Sequence, residues 1–382
     1  MTDKLLLCCG GLRTDYIITP QGEARLMEMG GNALYSAAGA KLWNTAQVAL
    51  LARVGDNYPL GWLDDLREAG FDVDGVRRVP GAQDHRTFYA YIDEDTRDDT
   101  NPAHHFERVG LPMPDELRNY THSTPGQDDP NAYEPLAVTP EDLALFFEKK
   151  VEERTKTNDE RRTTNDPSTR PVGQPGQAEG QKSAVGRLSS IFSRHAALHI
   201  APSSIRTQRF LPEAARRFNI PIVSVDPGER AMQPELLLKI EDMLAEIDIF
   251  LPSDQETQSL FRDATDEMDA KQCARWFAER GPAFVVLKLG SDGALVHQRG
   301  GAFWHVPALP IQVVDSTGAG DAFCGGFMAD FLAHADPVRA AITGTVSASF
   351  ALQDYGARHL FNIPEHEYDH RAAYLRGLVT TV

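Results

Sequence analysis

Little in this chain points to a membrane, an oxidising compartment or a nucleic-acid partner. Only four cysteines occur in 382 residues, at Cys8, Cys9, Cys273 and Cys324. None forms a metal-type pair, and the adjacent Cys8 and Cys9 should face opposite sides of a strand. They read as reduced core residues of a cytoplasmic protein. No uninterrupted apolar run of about 20 residues exists, which excludes a membrane-spanning helix. The start, Met1 to Lys4, leads into a short apolar run without a cleavage signal. Basic residues are outnumbered, 38 Lys and Arg against 55 Asp and Glu, for a net charge of −17. Duplex binding needs a clustered basic face, and none is visible, although local basic pockets could still take a nucleotide. His104-His105 has no second ligand cluster nearby and is expected to lie in a loop or to face solvent. From about Thr155 to Lys182 large apolar side chains are almost absent. Such a segment cannot bury enough surface to offset its ordering entropy, so residues 155–185 are expected to form a disordered surface insertion.

What is present is an alternation of strands and helices. Leu5 to Cys9, ending at Gly10-Gly11, reads as a buried first strand. Tyr16 to Thr19 and Glu23 to Met29 read as short strands, and a small-residue helix runs from Asn32 to about Trp43. Gln47 to Val54, Thr87 to Ile92, Ala196 to Ile200, Ile220 to Val225, Ile247 to Leu251, Ala283 to Leu289 and Ala294 to His297 read as further strands. Helices are expected at 60–69, from Pro140 to about Glu153, at 204–218, from about Pro234, and near 254–262 and 269–280. This spacing implies βαβ crossovers and a mostly parallel sheet covered on both faces. Ligands gather beyond the carboxyl ends of strands in such sheets.

The most informative run is Val313-Val314-Asp315-Ser316-Thr317-Gly318-Ala319-Gly320-Asp321-Ala322-Phe323. A polar turn and three small residues open an apolar helix, in which Phe323, Phe327 and Phe331 recur at i+4. The first N–H groups of a helix lack intrahelical partners and, with the helix dipole, suit a phosphate. Asp321 beside such a site would repel phosphate unless it accepts a proton from an attacking hydroxyl. A helix cap without chemistry is the alternative. Gly325 and Gly326 each cost about 1 kcal/mol relative to alanine, so the helix should be packed tightly against neighbours or a ligand.

Several motifs, in order from about residue 5 to 356, resemble the ribokinase-like, PfkB-type carbohydrate kinase family. The run Asp315 to Phe323 resembles its second signature, D-T-x-G-A-G-D. Gly30-Gly31-Asn32 resembles the sugar-binding turn of the first, and Val54-Gly55-Asp56 with Gly61 resembles V-G-D-D-x-x-G. The resemblance implies a three-layer α/β/α sandwich with a mostly parallel central sheet and a small β-sheet lid. It implies one domain over 1–382, with 12–30 and 85–110 contributing the lid. It implies ATP-dependent transfer to a primary hydroxyl of a sugar or sugar-like alcohol, with a nucleoside kinase or a non-catalytic binding protein as alternatives. By position, Asp321 is the base, and the backbone of Gly318, Ala319 and Gly320 is the anion hole. Asp15, Gly31 and Asn32 bind the acceptor, and Ser253, Lys288, Gly290 and Gly293 bind the nucleotide. Glu256 holds Mg²⁺ through water, and Asp315 and Thr317 are candidate K⁺ ligands. Two departures stand out: Ser253 replaces the Asn of N-x-x-E, and Tyr35 replaces a second Asn of the first signature. Tyr16, Tyr35, Phe88 and Tyr89 could stack a nucleobase, whereas Arg13 and Arg86 could clamp a phosphorylated sugar. Pairing of two lids to cover a bare face implies a homodimer.

Overall fold

Leu5–Cys9 is buried at every position, as a strand covered on both faces must be. In the computed structural model, which describes residues 3–92, 97–121, 134–163, 195–264 and 268–382, this strand lies inside a large sheet. The strands in chain order are β1 (Leu5–Cys9), β2 (Arg13–Ile18), β3 (Ala24–Gly30), β4 (Gln47–Val54), β5 (Asp72–Arg78), β6 (Arg86–Tyr91) and β7 (Arg97–Asp98). There follow β8 (Ala196–Ile200), β9 (Ile222–Val225), β10 (Ile249–Phe250), β11 (Phe284–Lys288), β12 (Ala294–Gln298), β13 (Phe303–Val306) and β14 (Thr380–Thr381). Ten of them form the central sheet in the order β14-β13-β12-β11-β10-β9-β8-β1-β4-β5. Pairing is parallel from β5 across to β11 and antiparallel from β11 to β14.

Alternate residues of the central strands feed two separate cores. Leu6 and Cys8 face the layer that contains the helices Asn32–Lys41, Ala319–His334 and Pro337–Ala351. Leu5, Leu7 and Cys9 face the layer built from Pro140–Thr163, Ile205–Arg217 and Ala270–Ala278. All four cysteines are buried and unpaired. The second sheet, in the order β3-β2-β6-β7, carries a small core of its own. An α/β fold with a lid sheet is therefore what the chain adopts.

Three differences from the expected elements have local causes. The helix starting at Pro140 continues to Thr163, because Glu, Lys and Arg in that stretch are good helix formers even without an apolar face. Residues 164–185 of the expected insertion lie outside the described residues. His105 is not in a solvent-facing loop: it is buried in the helix Pro102–Arg108, with its Nε2 2.8 Å from Asp98 Oδ2, while His104 is exposed. Strand β5 gave no alternating signal because Gly75 and four charged residues leave it only two apolar positions, Val73 and Val76.

Candidate active site

The helix Ala319–His334 starts at Gly318, whose φ of 74° requires a glycine. A Cβ there would lie 2.2 Å from the Tyr35 ring, so Tyr35 forms the floor of this turn. The first i→i−4 bond of the helix runs from Ala322 N to Gly318 O at 2.8 Å, which leaves Gly320 and Asp321 in the first turn ahead of it. Asp321 Oδ1 is buried with no hydrogen-bond partner. Burial, and then the nearby Asp226 charge, hold the Asp321 carboxyl well above the usual carboxylate range, while Lys288 acts the other way.

Lys288, at the end of β11, donates from Nζ to Asp226 Oδ2. The same ammonium reaches Cys324 Sγ at 3.7 Å and approaches Gly320, where a Cβ would lie 3.5 Å away. Burial opposes its charge, but Asp226 more than compensates and keeps it protonated. Ser253 and Glu256 form a capping box: Glu256 N donates to Ser253 Oγ at 3.2 Å, and Ser253 N donates to Glu256 Oε2 at 2.7 Å. The serine that departs from N-x-x-E is thus a working helix cap. The Glu256 carboxyl is raised, first by burial and then by Asp226. Gly290 and Gly293, both with positive φ, make the turn between β11 and β12.

On the other side of the Asp321 turn stands Asp315. Its Oδ1 accepts from Thr317 N at 2.8 Å and from the Tyr91 hydroxyl, which in turn accepts from Ser316 N at 3.2 Å. Thr317 Oγ1 accepts from Arg97 at 3.2 Å. Asp315 Oδ2 is buried without a partner. Asp15, in β2, is also buried, with an unpartnered Oδ2 that occupies the space a Gly30 side chain would need. Burial pushes its carboxyl up to about 7, despite a hydrogen bond from Thr87. Gly31 sits at φ 103° with Gly11 O 2.4 Å from where its Cβ would be. Asn32 accepts from Gly11 N at 2.6 Å and Ala33 N at 2.8 Å and donates to Pro202 O. Its amide therefore ties the Gly11 turn after β1 to the 200s loop.

Between the lid and the carboxyl ends of β1, β4, β8 and β9 lies a cavity of about 630 Å³. Gly10, Gly11, Asn32, Thr87, Tyr89 and Arg97 are among its lining residues, while Asp15, Asp315 and the 318–321 turn are not. The expected residues therefore fall into two groups. Asp321, Lys288, Glu256 and Ser253 surround Asp226, and Asp15, Asp315 and Thr317 lie on the lid side of Tyr35, whose phenol is raised by burial and then by Asp15, Asp315, Tyr89 and Asp321. Sequence reading missed Asp226, Tyr91, Arg97 and Cys324. Asp226 had a usable signal, since it follows the last residue of a parallel strand. No signal could connect Tyr91 to Asp315 across the intervening chain.

Asp226 and Asp321 on one side and Asp315 on the other each keep a buried oxygen without a partner. Carboxylate oxygens suit a Mg²⁺ that keeps several of its waters, and among the described residues no three acidic, histidine or cysteine side chains cluster to ligate an ion directly.

The fold is that of the ribokinase class. A structure assigned as ribokinase II of Escherichia coli, in complex with ATP and Mg²⁺, superimposes with a TM-score of 0.63 at 17% identity, covering 98% of this chain and 100% of that one. A Burkholderia thailandensis nucleoside kinase in complex with inosine gives 0.62 at 15% identity, covering 98% and 97%. Residues 195–364 match the pfkB family carbohydrate kinase profile. An uncharacterized sugar kinase of Archaeoglobus fulgidus is 35% identical over 140 residues, 36% of this chain and 52% of that protein. That profile match covers less than half of this chain, and the chain spans about half the length of this curated relative.

Proposed function

We propose that the protein transfers the γ-phosphoryl group of ATP to a primary hydroxyl of a small sugar-like acceptor. Asp321 takes the hydroxyl proton, and the N–H groups of Gly318, Ala319 and Gly320 stabilise charge on the transferring group. The single observation that carries this reading is the buried, unpartnered Asp321 oxygen in the first turn of a helix, beside a lysine and two further acids. Asp226 and Glu256 are the residues to hold Mg²⁺, which would neutralise the phosphate chain. Gly290 and Gly293 let the backbone approach the nucleotide, and Lys288 shifts from Asp226 to a phosphate oxygen when ATP binds. Asp15 accepts hydrogen bonds from acceptor hydroxyls, while Gly31 and Asn32 hold the turn that shapes the acceptor site.

A general base contributes roughly 10²–10⁴-fold. ADP release by Asp321→Asn should fall by at least that lower bound with its folding unchanged, and turnover within tenfold of wild type would remove the assignment. Asp315 Oδ2 and Thr317 are proposed to hold K⁺; equal rates in K⁺ and tetramethylammonium buffers count against this. We favour a sugar-like acceptor over a nucleoside because the aromatic residues considered for stacking a base are engaged elsewhere. Tyr16 and Phe88 are buried in the lid core, Tyr35 lies under Gly318, and the Tyr89 ring is covered by the Arg97 guanidinium at 4.3 Å. No described helix is long and apolar enough to cross a membrane, and the four unpaired cysteines suit the reducing cytoplasm.

A further inference from the structure

In a chain with net charge −17, five arginines, Arg13, Arg53, Arg86, Arg97 and Arg230, line one cavity together with four acids, Asp84, Asp99, Glu134 and Glu229. Arg53 and Arg86 are neutralised, and Arg230 has a partner of its own. Arg53 Nε lies 2.8 Å from Asp142 Oδ2, and Arg86 Nη2 lies 2.6 Å from Asp84 Oδ2. Arg13 and Arg97 form no ion pair among the described residues. Arg13 donates one bond, to the Asp84 carbonyl at 2.9 Å, out of the five a guanidinium can make. Arg97 donates to the neutral Thr317 hydroxyl at 3.2 Å and to the Tyr91 hydroxyl, and lies over the Tyr89 ring, with no carboxylate paired to its charge among the described residues. Strand alternation puts Arg13 and Asp15 on the same face of β2, about 7 Å apart along the strand. The cavity also holds Ser203, whose buried hydroxyl has no partner. A planar, permanently charged fork of this kind matches a carboxylate or a phosphate.

We infer that the acceptor carries an anionic group, a phosphate monoester or a carboxylate, which Arg13 and Arg97 hold in this cavity while Asp15 holds its hydroxyls. The inference rests on the kinase reading and adds the acceptor's charge to it. A sugar hydroxyl alone leaves both guanidinium groups underused, whereas an anion accepts from both at once. Arg97 also touches the Thr317 turn, so the anion and the reacting end of the site share one side chain.

The test measures ADP release with fructose against fructose 6-phosphate, ribose against ribose 1-phosphate, and 2-keto-3-deoxygluconate, each with a primary hydroxyl open. Inosine and adenosine complete the neutral set. The expected result is a kcat/KM at least tenfold higher for one anionic acceptor than for every neutral one. The phosphate and carboxylate arms say which anion it is. Arg13→Gln should raise KM for that acceptor at least tenfold with kcat within threefold, and Arg13→Lys should recover part of the loss. Thermal melting with the same acceptors, without ATP, reads binding apart from turnover. A neutral acceptor used as well as the best anionic one overturns the inference and leaves the kinase reading intact. Anionic acceptors that raise Tm in wild type but not in Arg13→Gln, with no ADP released, support the anion site and overturn the kinase reading. No turnover and no melting shift with any acceptor overturns both.

Discussion

Asp15 titrates differently in the folded and the unfolded chain. In the unfolded state its carboxyl titrates near 3.8, and burial moves it to about 7 in the fold. The folded protein thus keeps a proton that the unfolded chain gives up, so this residue's contribution to stability falls as pH rises between those values. The full shift corresponds to roughly 4 kcal/mol at most, and about 3 kcal/mol of it is lost between pH 5 and pH 8. Asp15→Asn has nothing to titrate. Relative to wild type it should gain up to about 3 kcal/mol in urea stability from pH 5 to pH 8, while kcat/KM for the acceptor falls. A constant stability difference across that range would show that Asp15 is not held in a water-free environment.

Two pairs of elements hold the site together. The helices Asn32–Lys41 and Ala319–His334 meet at glycines: a Cβ on Gly39 would lie 2.2 Å from Ala322 O, and one on Gly325 would lie 1.7 Å from Ser36 O. This contact fixes the Gly31 turn relative to the 318–321 turn, and the tight packing was readable from the paired glycines at 325 and 326. The second pair, strand β6 with the 315–317 turn, was not readable. Its bond joins Tyr91 to Asp315, and nothing in either local sequence names the other. Through it, the position of the small sheet and the shape of the 315–317 turn become one variable. Hydrogen bonds to charged groups contribute roughly 1.5–3 kcal/mol. Tyr91→Phe should therefore lower kcat about tenfold or more, with KM for ATP nearly unchanged and the melting temperature shifted little. Wild-type kcat in that variant would break the proposed link between lid and turn.

At the scale of the whole molecule, the small sheet bears on the oligomeric state. Dimerisation was expected from a lid sheet with one bare face, and the site-facing side does carry Asp15, Thr87 and Tyr89. The opposite face, however, is covered by the chain itself. Phe106 and Leu117, from the stretch after β7, pack on Tyr16, Ile18, Phe88 and Ala90, with Phe88 and Phe106 centroids 6.1 Å apart. This is what part of the long 93–195 connection does, and composition alone could not show it, because the covering residues lie in a helix and a single turn among polar neighbours. The outer strand β3 does expose Leu26 and Met27. Yet its ladder with β2 is broken by a register shift at Asp15/Ile17, and Met27 has a φ of 58°. A bulged edge of that kind resists pairing with a second strand. The chain should accordingly sediment at its own mass of 42.2 kDa at micromolar concentration. A species of twice that mass would mean that the exposed β3 residues, and not an uncovered lid face, provide the interface; in that case Leu26→Glu should dissociate it.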